Sequence, residues 1–137
     1  MFEAQTQIRV RYAETDQMGY VYYGNYSTYY EVARVETLRQ MGFSYKELED
    51  KGVMMPVLEN WSKYIAPARY DELLTIKVYI KERPKLRISF HYEISNPAGK
   101  LIHIGETKLV FVSIETRKPC PIPEEFIKIV DQHFDEQ

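Results

Sequence analysis

Apolar positions along the chain follow two rhythms, and the switch between them marks the elements. Over residues 6–12, Ile8, Val10 and Tyr12 alternate with Gln7, Arg9 and Arg11, as in a strand with one buried face. Over 25–41 the period lengthens to that of a helix. Tyr26, Tyr30, Ala33, Leu38 and Met41 line one stripe, Val32 and Val35 add apolar surface on a second side, and Gly42 supplies the stop. A helix apolar on two sides is usually surrounded by protein, so this one is expected inside the fold. Ser44-Tyr45-Lys46-Glu47 has capping-box spacing and opens a short second helix ending near Gly52.

The two-residue rhythm then returns over 57–65, at Leu74, Ile76, Val78 and Ile80, and at Leu86, Ile88, Phe90, Tyr92 and Ile94. Asn96-Pro97-Ala98-Gly99 has the composition of a hairpin turn, and 101–114 reads as the final strand. Phe126, Ile127, Val130 and Phe134 mark a terminal amphipathic helix over 123–134. Strands joined by short loops pair antiparallel, so the class is α+β. A curved antiparallel sheet of about five strands wrapped around the long helix satisfies the pattern. With 137 residues and no repeat or linker, one domain spanning 1–137 is expected.

Composition removes several alternatives. Hydrophobic residues at 45% and charged residues at 28% fit a packed core rather than disorder. A net charge of -2 leaves no basic field for nucleic acid. The start, Met-Phe-Glu-Ala-Gln-Thr-Gln, has neither the cationic nor the apolar part of a signal peptide, and no run is long enough for a membrane span. A single cysteine, Cys120, cannot close an internal disulfide. Together these lead to an expected cytoplasmic location. His91, His103 and His133 gather no carboxylate or cysteine set around them, so no metal and no redox cofactor are expected.

Candidate chemistry concentrates in YAETDQMGYVYYGNYSTYYEVAR, residues 12–34, which holds seven of the twelve tyrosines and places Asp16 in a turn ahead of the long helix. By spacing alone, a turn or cap aspartate is the commoner reading. However, Tyr12-x-x-Thr15-Asp16-x-x-Gly19-x-Val21-Tyr22-x-x-x-Tyr26, followed by Glu31, Ala33 and Arg34, resembles the signature of hotdog-fold acyl-CoA thioesterases of the 4-hydroxybenzoyl-CoA thioesterase type. Tyr64-x-x-Pro67-Ala68-Arg69-Tyr70-Asp71-x-Leu73 is similar to a second segment of that family. The resemblance covers nearly the whole chain. It implies a hotdog fold, subunits joined sheet edge to sheet edge as a homodimer or a dimer of dimers, and active sites at the subunit interface.

The resemblance makes Asp16 the catalytic carboxylate, as nucleophile or as base toward water, and makes the backbone N–H of Tyr23 the group that polarises the thioester carbonyl. A helix N-terminus suits that second task, because it presents unpaired N–H groups and partial positive charge. Gly19 and Gly24 let the backbone approach the acyl group, and Tyr20 and Tyr22 are pocket candidates. Where many short-chain relatives carry histidine this chain has Tyr23, as the aromatic-substrate branch does, which argues against a histidine-assisted mechanism. Glu31 is a rival carboxylate whose plainer role is a helical pair with Arg34.

Coenzyme A belongs to the substrate, and its phosphates require cations. Lys81, Arg83, Lys85 and Arg87 surround one turn, and Arg117 and Lys118 follow the last strand. Arg87 and Arg117 are the chosen phosphate partners. An acyl carrier protein thioester is a second candidate partner. The competing function is a catalytically silent acyl-CoA or acyl-carrier-protein binding module on the same fold. A hotdog dehydratase needs a histidine near the helix, and none precedes Phe90.

Overall fold

The computed structural model describes residues 1–134. In chain order the elements are β1 (Phe2–Arg9), α1 (Tyr26–Met41), α2 (Tyr45–Asp50), β2 (Val53–Met54), β3 (Val57–Tyr64), β4 (Leu73–Ile80), β5 (Arg87–Ser95), β6 (Leu101–Val110), β7 (Val112–Ser113) and α3 (Glu124–Phe134). Short 3-10 turns occupy Tyr12–Glu14 and Tyr23–Asn25. Five strands form one antiparallel sheet in the order β1-β4-β5-β6-β3, and β2 pairs with β7 apart from it. The α+β architecture agrees with the expected one.

Alternation decides which face of the sheet is covered. Leu74, Ile76, Val78 and Ile80 of β4, and Ile88, Phe90, Tyr92 and Ile94 of β5, are buried beneath α1, while Lys77 and Arg87 point outward. The β5–β6 hairpin closes through its asparagine. Asn96 Oδ1 accepts the N–H groups of Ala98 and Lys100, both at 3.0 Å, and Gly99 takes φ 81°. At the other helix boundary Gly42 takes φ 128° and donates its N–H to Leu38, and Ser44 Oγ then accepts the Glu47 N–H to open α2.

Three expectations need correction. The first strand lies earlier than 6–12, because all eight residues of β1 pair with β4, from Phe2↔Ile80 to Arg9↔Leu73. Beyond Val10, the Glu14 carboxylate takes the Arg11 N–H and bends the chain into a 3-10 turn. The final strand is not continuous over 101–114 but breaks at Phe111, whose N–H bonds Leu86 while Val112–Ser113 leaves to pair with β2. The helix is buried on one face only. Val32 is 36% exposed, since at about 100° per residue it and Val35 fall opposite the stripe. What lies between the apolar residues of the buried face is polar: Arg34 and Thr37 are buried there, alongside Tyr29.

Tyr30 makes a tight contact between α1 and the sheet. Its ring stacks on Tyr92, with centroids 4.2 Å apart and planes at 1°, and passes directly over Gly105 of β6. A Cβ on residue 105 would fall inside the Tyr30 hydroxyl and ring. Interiors this densely packed do not yield easily. Gly105→Ala should therefore destabilise the protein by about 1–3 kcal/mol or more in denaturant unfolding. An unchanged unfolding midpoint would show that the helix slides off the sheet at little cost.

Candidate active site

Residues 12–25 form a knot of short-range hydrogen bonds rather than a loose loop. Asp16 Oδ1 accepts the N–H groups of Met18 at 2.9 Å and Tyr20 at 3.3 Å, while the Asp16 main chain bonds Tyr20 and Gly19 across the same turn. Gly19, at φ 80°, occupies the position a side chain would strain. The returning limb is held from outside, with Thr15 bridging Val21, Tyr20 bridging Arg69, and the Val21 N–H bonding Ala68. The Arg69 guanidinium lies over the Tyr20 ring at 5.2 Å. Among the described residues, Asp16 Oδ2 has no hydrogen-bond partner.

The limb then enters the helix through the Tyr23–Asn25 turn. Here the Asn25 N–H bonds the Tyr22 carbonyl, the first bond such a turn makes, which leaves the N–H groups of Tyr23 and Gly24 without acceptors among the described residues. No side chain caps α1. Asn25, placed where a cap belongs, turns its Nδ2 back to the Glu14 carbonyl at 2.8 Å. The Tyr22 ring lies over Gly24, where a Cβ would stand 2.9 Å from Tyr22 Cε2. The side chains of Tyr22 and Tyr23 are exposed and touch each other at 4.7 Å between centroids.

Glu14, which sequence reasoning passed over, is buried at the centre of this knot, 7% exposed. Burial pushes its carboxyl upward, but the backbone and side-chain donors of Arg11 and the Tyr29 hydroxyl outweigh that and hold it below its ordinary value. Arg34 was the other surprise. It does not pair with Glu31, which is exposed. Instead Arg34 turns inward, giving Nε to the Tyr45 hydroxyl at 3.2 Å and Nη1 to the Tyr92 hydroxyl at 3.0 Å. The chain of bonds runs on from Tyr92 through Thr107 and Asn60 to Ser27. The i+4 step from Tyr30 to Arg34 on the buried stripe was the available signal.

The tyrosines of the helix are core residues. Burial raises Tyr26 to about 12, so it is a neutral phenol. It stacks on His103 at 4.0 Å. Burial pushes His103 down to about 4, leaving a neutral ring whose Nε2 meets the Tyr30 hydroxyl and whose Nδ1 has no partner. The register pairs His91 with Glu106 and His103 with Ile94, so the two histidines face opposite sides of the sheet and share no site. Among the described residues no group of three His, Cys, Asp or Glu side chains converges. No described helix is long and apolar enough to cross a membrane.

The chosen residues fall at five separate places on the surface. Asp16 and Gly19 line a hollow of about 460 Å³ with Tyr12, Thr15, Gln17 and Tyr70. Tyr20 belongs to a neighbouring hollow of about 240 Å³ walled by Val21, Tyr26, Tyr64, Ile65, Ala66 and Pro67. Tyr23 and Gly24 are in the lining of neither hollow. Arg87 stands with Arg83 and Lys85 around a hollow at the β4–β5 turn, and Arg117 sits at φ 62° in the turn after β7. Arg83 is already paired with Asp131 of α3.

Known proteins share this plan. A family model described as the thioesterase-like superfamily matches residues 10–130. YneP of Bacillus subtilis (strain 168) is 38% identical over 127 residues, 88% of this chain and 92% of that protein. The acyl-CoA thioester hydrolase YbgC of Escherichia coli O6:H1 is 33% identical over 120 residues, 88% of this chain and 90% of its own. Among solved structures, the DHNA-CoA thioesterase of Staphylococcus aureus superposes with a TM-score of 0.85 at 35% identity, over 99% of this chain and 86% of that one. A match of this extent, on the sheet, helix and turn described above, leaves one assignment: the chain belongs to the thioesterase-like superfamily and carries its hotdog fold.

Proposed function

We propose that this protein hydrolyses acyl-CoA thioesters of small acyl or aroyl groups to the free acid and coenzyme A. Asp16 is the catalytic carboxylate, and the N–H groups at the head of α1, Tyr23 first, polarise the carbonyl. The observation that carries the reading is the uncapped helix start. The N–H groups of Tyr23 and Gly24, in the turn that leads into α1, meet no acceptor among the described residues, and upstream of them Asp16 keeps one oxygen without a partner. The 33% identity to an acyl-CoA thioester hydrolase supports the same substrate class.

In this scheme the carbonyl oxygen lies toward the Tyr23 N–H, where negative charge develops as the carbon becomes tetrahedral. One such donor contributes about 2.7–4 kcal/mol in a transition state. Asp16 either attacks the carbonyl carbon, giving a mixed anhydride that water then opens, or takes a proton from the attacking water. In both routes the C–S bond breaks and coenzyme A departs as its thiol. Tyr20 and Tyr22 flank the acyl group, and Gly19 and Gly24 keep the backbone accessible.

A second copy completes the site. β3 is an edge strand, and Val57, Leu58, Trp61 and Tyr64 on it are all about half exposed. Edge strands of this kind invite pairing. Two chains joined β3 to β3 extend the sheet and bring a partner surface beside Tyr64 and Ile65, which already wall the hollow next to Asp16. The phosphates of coenzyme A fall to Arg87 and Arg117, both exposed.

Three outcomes follow. Asp16→Asn removes charge with little volume, so kcat should fall about 10²- to 10⁴-fold while the fold and substrate binding persist. Near-native turnover would transfer the role to another carboxylate, with Glu31 next. Sedimentation should give at least twice the 16.3 kDa of one chain, and a stable, active monomer would end the shared-site scheme. Arg87→Ala and Arg117→Ala should raise KM for acyl-CoA and leave kcat nearly unchanged, because exposed phosphate contacts serve binding more than chemistry. A truncated thioester without the nucleotide should not respond to either change. Equal losses on both substrates would place these arginines in the stability of the fold.

A further inference from the structure

Both halves of the proposed site hang from one residue that touches no substrate. The Glu14 carboxylate collects four donors. Oε1 takes the Arg11 N–H at 2.9 Å and the Tyr29 hydroxyl at 2.8 Å, and Oε2 takes Arg11 Nε at 2.9 Å and Nη2 at 2.6 Å. Tyr29 is a wholly buried residue of α1, so the carboxylate ties the chain leaving β1 to the body of the helix. The carbonyl of the same residue accepts the Tyr22 N–H at 2.9 Å and Asn25 Nδ2 at 2.8 Å. Those two residues bracket Tyr23 and Gly24, whose N–H groups are open. Asp16 follows Glu14 by two residues in the chain.

We propose that Glu14 is a positioning residue for thioester hydrolysis, fixing the Asp16 turn and the open N–H groups of the helix start relative to each other. The proposal rests on the thioesterase reading above. Its chemistry requires an anion. Each oxygen faces a group of Arg11 that can only donate, the backbone N–H at Oε1 and the guanidinium at Oε2, so an amide in either orientation would turn an NH₂ group toward a donor. It also accounts for Asn25. Its Nδ2, bonded to the Glu14 carbonyl rather than capping α1, holds the limb that carries the open Tyr23 and Gly24 N–H groups.

Glu14→Gln and Asn25→Ala test this, the second because it cuts one of the two bonds to the Glu14 carbonyl and leaves no buried charge behind. Misplacing reacting groups by about 1 Å costs on the order of 10²-fold, so kcat should fall about 10- to 100-fold in each variant. Binding of a thioether analogue of acyl-CoA, which cannot be hydrolysed, should change by less than about twofold, because only transition-state alignment is lost. Amide exchange should quicken over residues 14–25 and stay unchanged in β5 and β6. Turnover of both variants within about threefold of the native value overturns the proposal, that being too small for lost alignment. So does exchange that quickens throughout the chain, with binding and kcat lost in parallel, since that marks a residue of general stability. Should Glu14→Gln fail to fold, Asn25→Ala decides alone. Native protein that releases no thiol from any acyl-CoA would sink the hydrolase reading instead, and local exchange would then settle whether Glu14 holds the two segments together.

Discussion

The fold depends on a helix lying close enough to a sheet for an aromatic ring to replace a side chain. Tyr30 covers Gly105 and stacks on Tyr92, so the axis of α1 is set by a contact that tolerates no added atom. Everything at the helix start inherits that position. Tyr26, one turn earlier, stacks on His103, and Tyr29 reaches Glu14. Through Glu14 the placement passes to the Asp16 turn. A helix free to slide by even part of a turn would carry Tyr23 and Gly24 with it, and the short-range bonds around Asp16 would have nothing fixed to align with.

The polar groups buried beneath α1 set the angle about that axis. Apolar packing alone resists rotation weakly, because many rotamers of Leu and Ile fill similar space. Arg34 bonded to Tyr45 and Tyr92, and Tyr30 bonded to His103 and Ser62, are satisfied in one orientation only. Burying a guanidinium costs several kcal/mol unless its donors are met. Burial pulls Arg34 down, but the charge of the Tyr92 and Tyr45 oxygens, with their hydrogen bonds, outweighs it and holds Arg34 above its usual range. The helix is thereby held in translation by a glycine and in rotation by hydroxyls.

This division explains what could be read from the sequence. The strands were legible because β4 and β5 are covered on one face and alternate strictly, and the hairpin because Asn96 and Gly99 each satisfy a local backbone demand. The Asp16 segment was legible only through its resemblance to a family. Its spacing alone fits a turn, and a turn is what Oδ1 makes. The environment of α1 was misread because hydropathy counts Arg34 and Thr37 as surface and Val32 as core, whereas the sheet beneath them offers hydroxyl partners that lie far along the chain. Glu14 escaped for the same reason. One donor of its carboxylate is fifteen residues away on a helix, and no local pattern announces a carboxylate that will be buried.

The contrast between a turn aspartate and a catalytic aspartate then loses its force. A carboxylate has two oxygens, and here they are used differently. Oδ1 is held by the N–H groups of Met18 and Tyr20, which fixes the side-chain torsions and removes the entropy that a mobile carboxylate would lose on reaching a transition state. Oδ2 remains unpartnered among the described residues and is aimed by the same two bonds. In the proposed reaction it is the atom that meets the carbonyl carbon or the water. In that proposal the turn is the means by which the reacting oxygen is oriented before substrate arrives, and Gly19 at φ 80° is what lets a turn so tight close around it.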